Sequence, residues 1–192
     1  MKKLSKKHPL RLAWDAWHSG RTEGIGSLYL SALLSTPDTA EAQQMLGYLA
    51  LELDDTDTAV LALGKCVMIE PGIAESHMLH GVALRRKGEG EAAVIAFRKA
   101  LELRAEWPDA INNLSVTLEE LGRLAEAHEW VLRGLEFAPD DVDLRNQCGC
   151  ILCAQGRHQA AIAEYKHALE IDPDFEPARL NLEDAQREVR AA

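Results

Sequence analysis

Apolar and small residues return along this chain at helical spacing, and the helical stretches come in pairs. The pairing is plainest from Glu75 to Leu103, where ESHMLHGVALRRK is followed by Gly88 and then by EAAVIAFRKALEL. In the second stretch Ala93, Phe97 and Ala100 recur at the spacing of one helical face, while Arg98, Lys99 and Glu102 fall on another. Aromatic residues make up 5 % of the chain, Ala and Leu are abundant and β-branched runs are short, a composition that favours helices over strands. The pattern predicts an all-α protein.

The layout is written five times at an interval of 34 residues, without insertion. With Lys6 as position 1, the units are 6–39, 40–73, 74–107, 108–141 and 142–175, after a basic extension over 1–5 and before a tail over 176–192. Position 8 is small (Ala13, Gly47, Gly81, Ser115, Gly149). So are position 20 (Ala59, Ala93, Ala127 and Ala161, with Ile25 in the first unit) and position 27 (Ala32, Cys66, Ala100, Gly134, Ala168). Position 24 is large (Tyr29, Leu63, Phe97, Val131, Tyr165). Two helices cross closely only where the contacting side chains are small. A hairpin this short cannot bury its apolar stripe alone, so each unit is expected to stack on the next. Gly20, Gly88, Gly122 and Gly156 share one position, suited to the left-handed residue that ends a helix, and Asp54 stands there in the second unit. Pro37, Pro71, Pro139 and Pro173 share another and separate one unit from the next. Glu41, Glu75, Asp109 and Asp143 fall in the first turn of the first helix of each unit, where the helix dipole favours acids.

These residues resemble the tetratricopeptide repeat. The matches are plainest at Gly149, Ala161, Tyr165, Ala168 and Pro173, and at Gly81, Ala93, Phe97 and Ala100. Departures are Ala13 and Ser115 for the early glycine, Ile25 for the middle alanine, Ala105 for proline, and His80 and Cys148 where leucine is usual. The resemblance covers 6–175. It implies a right-handed α-solenoid, with the first helices of the hairpins lining a concave groove and the second helices forming a convex back. The tail, with Ala178, Leu182, Ala185 and Val189 at helical spacing, reads as a solubilising cap helix. What the resemblance implies for function is a non-catalytic, cytoplasmic scaffold that holds a peptide or partner protein in the groove.

Two groove features carry that expectation. Asn113, Gln147 and Asn181 occupy one position in successive units, with Asn112 and Asn146 beside them. Amides both donate and accept, so a row of them can grip an extended backbone without reading its side chains. The row is similar to the asparagine ladders of some members of the family. Toward the N-terminus, Trp14 and Trp17 stand at i, i+3, Tyr48 and Met78 continue the patch, and Arg85 and Arg86 rim it; such a surface suits an apolar segment with an acidic neighbour. The carboxylate clamp of chaperone-tail-binding members is not expected, because Glu41, Gln44 and Glu52 stand on this groove instead.

A second reading comes from the convex side. Where later units carry charges, the first two carry Leu30, Leu34, Leu61 and Met68, with Val60 beside them. Contiguous exposed apolar surface marks interfaces, so homo-oligomerisation through these residues is an alternative to groove binding.

Charge narrows the partners. The net charge is −10, and since residues 1–11 hold five Lys/Arg and no acid, the remainder carries 16 basic against 31 acidic residues. Such a body repels phosphate backbones, so nucleic acid is not expected as a partner. No secretory leader pattern and no apolar run of membrane-spanning length is present, so membrane insertion is not expected either. Four cysteines in such a chain suggest free thiols in a reducing compartment. Cys148, Cys150 and Cys153 invite a thiol or metal role, but on a helix only Cys150 and Cys153 share a face, and zinc needs four convergent ligands. No phosphate loop, nucleophile elbow or HExxH motif occurs, so no catalytic residue, cofactor or metal is assigned.

Overall fold

The computed structural model describes residues 5–21 and 23–191, so Lys2 and Lys3 of the basic extension lie outside the described residues. Eleven α-helices and no strand occur among those residues. They are α1 (Pro9–His18), α2 (Ile25–Leu33), α3 (Ala40–Glu52), α4 (Thr56–Ile69), α5 (Ala74–Arg86), α6 (Gly90–Leu103), α7 (Pro108–Glu120), α8 (Leu124–Phe137), α9 (Val142–Ala154), α10 (His158–Ile171) and α11 (Glu176–Ala191). The chain divides into two compact units, 1–103 and 104–192.

Both units are built on one plan. In the first, α1 packs on α2, α3 on α4 and α5 on α6, while α2 meets α3 and α4 meets α5. The odd-numbered helices also touch each other, α1 against α3 and α3 against α5. In the second unit α7 and α8, and α9 and α10, form hairpins, α8 meets α9, α11 closes on α10, and α7, α9 and α11 lie side by side. Each unit is thus a stack of hairpins in two layers, the solenoid architecture, with odd helices in one layer and even helices in the other.

Local chemistry explains where the helices start and stop. Thr39, Asp55 and Asp141 cap α3, α4 and α9, each side-chain oxygen accepting from the amide three residues on, at 2.9–3.3 Å. Glu41, Glu75, Asp109 and Asp143 lie in the first turns of α3, α5, α7 and α9. The hairpin turns close through Gly20, Gly88, Gly122 and Gly156, all at φ between 72° and 84°. Asp54 takes the same conformation at φ 57° without being glycine. Arg86 of α5 explains how: its Nη1 donates to the Leu51 carbonyl at 2.7 Å, near the end of α3, and lies 3.6 Å from the Asp54 carboxylate.

The core follows from the small and large positions. A Cβ added at Gly81 would sit 2.6 Å from Phe97 Cε1, and one at Gly47 or Gly149 would run into Leu63 or Tyr165. In each of these hairpins the two helices meet through a glycine that leaves room for a large, fully buried side chain 16 residues on. Where position 8 becomes the buried Ser115, position 24 shrinks to Val131. The swap conserves volume across the helix contact.

Helix α2 is lightly held. It has no side-chain N-cap, no acid in its first turn and no base in its last, and it buries only Ile25, Tyr29 and Ala32. Tyr29 ties it down through a 2.7 Å hydrogen bond donated to Asp55.

Candidate functional site

The odd-helix face of the first unit holds the aromatic patch. Trp14 and Tyr48 meet edge-to-face at 5.2 Å between ring centroids, and His18 stacks beside Trp14 at 4.3 Å. Trp14 and Trp17 also rest against the core formed by Leu10, Leu46 and Leu49, so they are half-buried rather than free. Met78 and Arg85 are half-buried on α5. Arg86, expected at the groove rim, is exposed and donates its Nη1 to the Leu51 carbonyl at the end of α3, which also accepts from the Asp54 amide at 3.4 Å.

The odd-helix face of the second unit is knitted by amides. Asn113 Nδ2 donates to the Asp109 carbonyl one turn back, at 2.8 Å. Gln147 Nε2 crosses from α9 to the Glu119 carboxylate on α7 at 2.6 Å. Asn181 Nδ2 crosses from α11 to Asn146 Oδ1 at 2.9 Å and lies 3.4 Å from Cys150 Sγ. The carbonyl and carboxylate partners can only accept, which fixes which end of Asn113 and Gln147 is the nitrogen. Gln147 departs from the expected open ladder: it is buried, 6 % exposed, and committed to Glu119. The three nitrogens are therefore engaged within the fold, while the oxygens of Asn113, Gln147 and Asn181 accept no hydrogen bond among the described residues. Asn112 Oδ1 is also buried without a partner. What remains on this face are these oxygens together with the second N–H of Asn113 and of Gln147.

Glu119 was not singled out by the sequence, since its position shows no periodic signal. Burial pushes its carboxyl above the usual range, opposed by the hydrogen bond from Gln147 and reinforced by Glu120. With Cys150, Cys153, Asn181, Asp184 and Glu188 it lines a cavity of about 350 Å³. Cys150 and Cys153 do share that face, whereas Cys148 is buried. Burial holds the Cys148 thiol up at about 12 and also raises Cys150, so both stay protonated at neutral pH. No group of three His, Cys, Asp or Glu side chains converges to hold a metal among the described residues.

On the even-helix side of the first unit Leu30, Leu34, Leu61 and Met68 are exposed, Leu34 at 92 % and Met68 at 83 %. Val60 is not among them; it packs on the core and is half-buried, because its turn of α4 points it back toward the hairpin. Two cavities open on this unit at equivalent repeat positions. One, of about 170 Å³, lies among Gln43, Leu46, Leu61 and Ala62, and the other, of about 610 Å³, among His77, His80, Ile95 and Ala96. In the larger, His80 stands where the smaller has Leu46. Burial lowers the His80 imidazole, with His77 adding repulsion and Glu89 opposing it. Beside it, His77 is satisfied, its Nε2 donating to the Pro71 carbonyl at 2.9 Å. In the second unit the positions of His77 and Ala96 are taken by Arg145 and Glu164, which form a 2.9 Å ion pair.

Tetratricopeptide repeat family models match residues 40–73, 78–142 and 149–186, most of the chain. The chain belongs to the tetratricopeptide repeat family. Among solved structures it is similar to MamA, with a TM-score of 0.74 at 22 % identity over 84 % of this chain and 95 % of that one. YrrB, described as a TPR protein with an unusual peptide-binding site, superposes with a TM-score of 0.72 at 19 % identity over 88 % of each chain. Among curated proteins, the human protein O-mannosyl-transferase TMTC1 is 29 % identical over 170 residues, 86 % of this chain and 19 % of TMTC1. The chain spans from about a fifth to a third of such relatives. These likenesses establish a TPR scaffold fold, one suited to protein–protein interaction. No helix among the described residues is long and apolar enough to cross a membrane.

Proposed function

We propose that this chain is a non-catalytic TPR scaffold whose odd-helix face binds an extended segment of a protein partner. The observation that carries the reading is the row of amides on α7, α9 and α11, each anchored inside the fold through its nitrogen with its oxygen left open. A row that still accepts, and that keeps a second N–H at Asn113 and Gln147, matches the alternating N–H and C=O groups of an extended backbone. The first unit carries a surface of its own, in which Trp14, Trp17, Tyr48 and Met78, with the Arg85 cation beside them, suit an apolar segment with an acidic neighbour. The description of YrrB as peptide-binding supports the reading by analogy of fold. The test is capture from a cytosolic extract by wild type and by an Asn113→Ala/Gln147→Ala/Asn181→Ala variant, compared by quantitative mass spectrometry. Partners held by wild type and released by the variant are expected; the same proteins at the same yield on both would refute the reading.

A second reading rests on the exposure of Leu30, Leu34, Leu61 and Met68: self-association through the even-helix face of the first unit. Sedimentation at tens of micromolar tests it. A concentration-dependent dimer abolished by Leu34→Ser/Met68→Ser supports it, and a monomer throughout refutes it.

A further inference from the structure

Glu119 is unusual among the carboxylates of the second unit. It is half-buried, and its partner is the neutral amide of Gln147 rather than a cation. Glu188, on the opposite wall of the same cavity, likewise pairs with no cation among the described residues, and Asp184 has only an exposed partner, Arg187 at 3.1 Å. Three acids and one histidine, His158, therefore line one pocket, and neither a lysine nor an arginine is among its walls. Between them lie the Cys150 and Cys153 thiols and the edge of Tyr165, soft and largely apolar, with Asn181 presenting the oxygen left over from its bond to Asn146. The surroundings reinforce the local sign: residues 104–192 hold 9 Lys/Arg against 18 Asp/Glu, whereas residues 1–103 hold 12 against 13.

We propose that the pocket walled by Glu119, Asp184 and Glu188 receives a lysine or arginine side chain of the segment bound along α7, α9 and α11. The assignment rests on the groove reading above and names the chemistry of its ligand. The aliphatic stem of such a side chain fits against the thiols and Tyr165, and its charged head reaches the carboxylates. The three carboxylates and the Asn181 oxygen accept, so a cationic donor is complementary at this pocket and an acidic group is repelled. A metal ion does not suit the site: burial raises the Cys150 thiol and no set of three ligands converges among the described residues. Burial raises the Glu119 carboxyl because no cation offsets it; a bound ammonium or guanidinium supplies that charge.

The test uses three fluorescein-labelled ten-residue Ser/Thr peptides, identical except for Lys, Gln or Glu at the centre, titrated against the full chain by fluorescence anisotropy. At low salt the Lys peptide is expected to bind at least about ten-fold more tightly than the Gln peptide, with the Glu peptide weakest, and the preference should shrink as ionic strength rises. Glu119→Gln/Glu188→Gln, which keeps the shape of both side chains, should remove the Lys preference and leave the Gln peptide unchanged. Asn113→Ala/Asn181→Ala should weaken the Lys and Gln peptides alike. Equal affinity for Lys and Gln peptides, or a Lys preference that survives the double Gln variant, overturns the pocket while leaving the groove reading intact. No binding of any peptide at about millimolar protein overturns both. Far-UV circular dichroism of each variant separates lost binding from lost folding.

Discussion

Replacing Gly81 by alanine sets two opposite effects against each other, and the structure decides between them. Alanine in a helix interior is better than glycine by about 1 kcal/mol, so on propensity alone Gly81→Ala stabilises α5. The new methyl group, however, would lie 2.6, 2.7 and 2.9 Å from three ring atoms of Phe97. Carbon pairs rest at about 3.5–4.0 Å, so the ring must retreat by close to an ångström. Phe97 has no exposed edge and no room to retreat. Overpacking of this kind costs typically about 1–3 kcal/mol, of which propensity returns about 1. Gly81→Ala should therefore lower the unfolding free energy measured by urea titration and circular dichroism, by a net of up to about 2 kcal/mol. Phe97→Val alone leaves a cavity and should cost about 2–4 kcal/mol. Combined, the two changes approach the small-with-small pairing of Ser115 and Val131, so the double variant should lose less than the sum of the single losses by at least about 1 kcal/mol. A Gly81→Ala protein more stable than wild type, or strict additivity in the cycle, would refute this account of the hairpin contact.

Three further outcomes are expected. His80 has a folded-state pKa below its ordinary 6.5, so it contributes stability that is present above that value and lost as pH falls through the folded pKa; His80→Leu should both stabilise the chain and flatten the fall of its urea midpoint as pH drops below 6.5. Glu119 is raised above its ordinary 4.5, so its burial weakens the fold as pH rises through the folded pKa; Glu119→Gln should be more stable than wild type at pH 7, with the gap closing below pH 4.5. Removing Arg145 strands Glu164, and since the two side chains are 16 % and 26 % exposed the loss should be about 1–2 kcal/mol by chemical denaturation, less than for a fully buried pair, while Arg145→Met with Glu164→Leu should recover most of it.

Periodic features were legible in the sequence. The small and large positions at Gly81 and Phe97, the left-handed glycines at 20, 88, 122 and 156, and the apolar exposure of Leu34 and Met68 all depend on where a residue sits within its own repeat, which composition and spacing encode. Features that depend on one long side chain reaching a particular neighbour were not legible. Arg86 spans 35 residues to the Leu51 carbonyl, Gln147 spans 28 to Glu119, and Arg145 spans 19 to Glu164. Each breaks the repeat, because no other unit carries the same pair at the same positions. Val60 was misassigned for a related reason: a residue at the border of two helix faces is placed by the local rotation of α4, which spacing alone does not set.

Arg86 also sets the order in which the first unit comes apart. Its bond to Leu51 belongs to α5 yet holds shut the turn that follows α3, where Asp54 sits in a backbone state glycine would accept more easily. That turn cannot relax on its own schedule: loosening α5 removes its clasp, so fraying that starts near residue 86 is handed inward to residue 54. In hydrogen exchange the amides of 53–55 should open together with those at the end of α5.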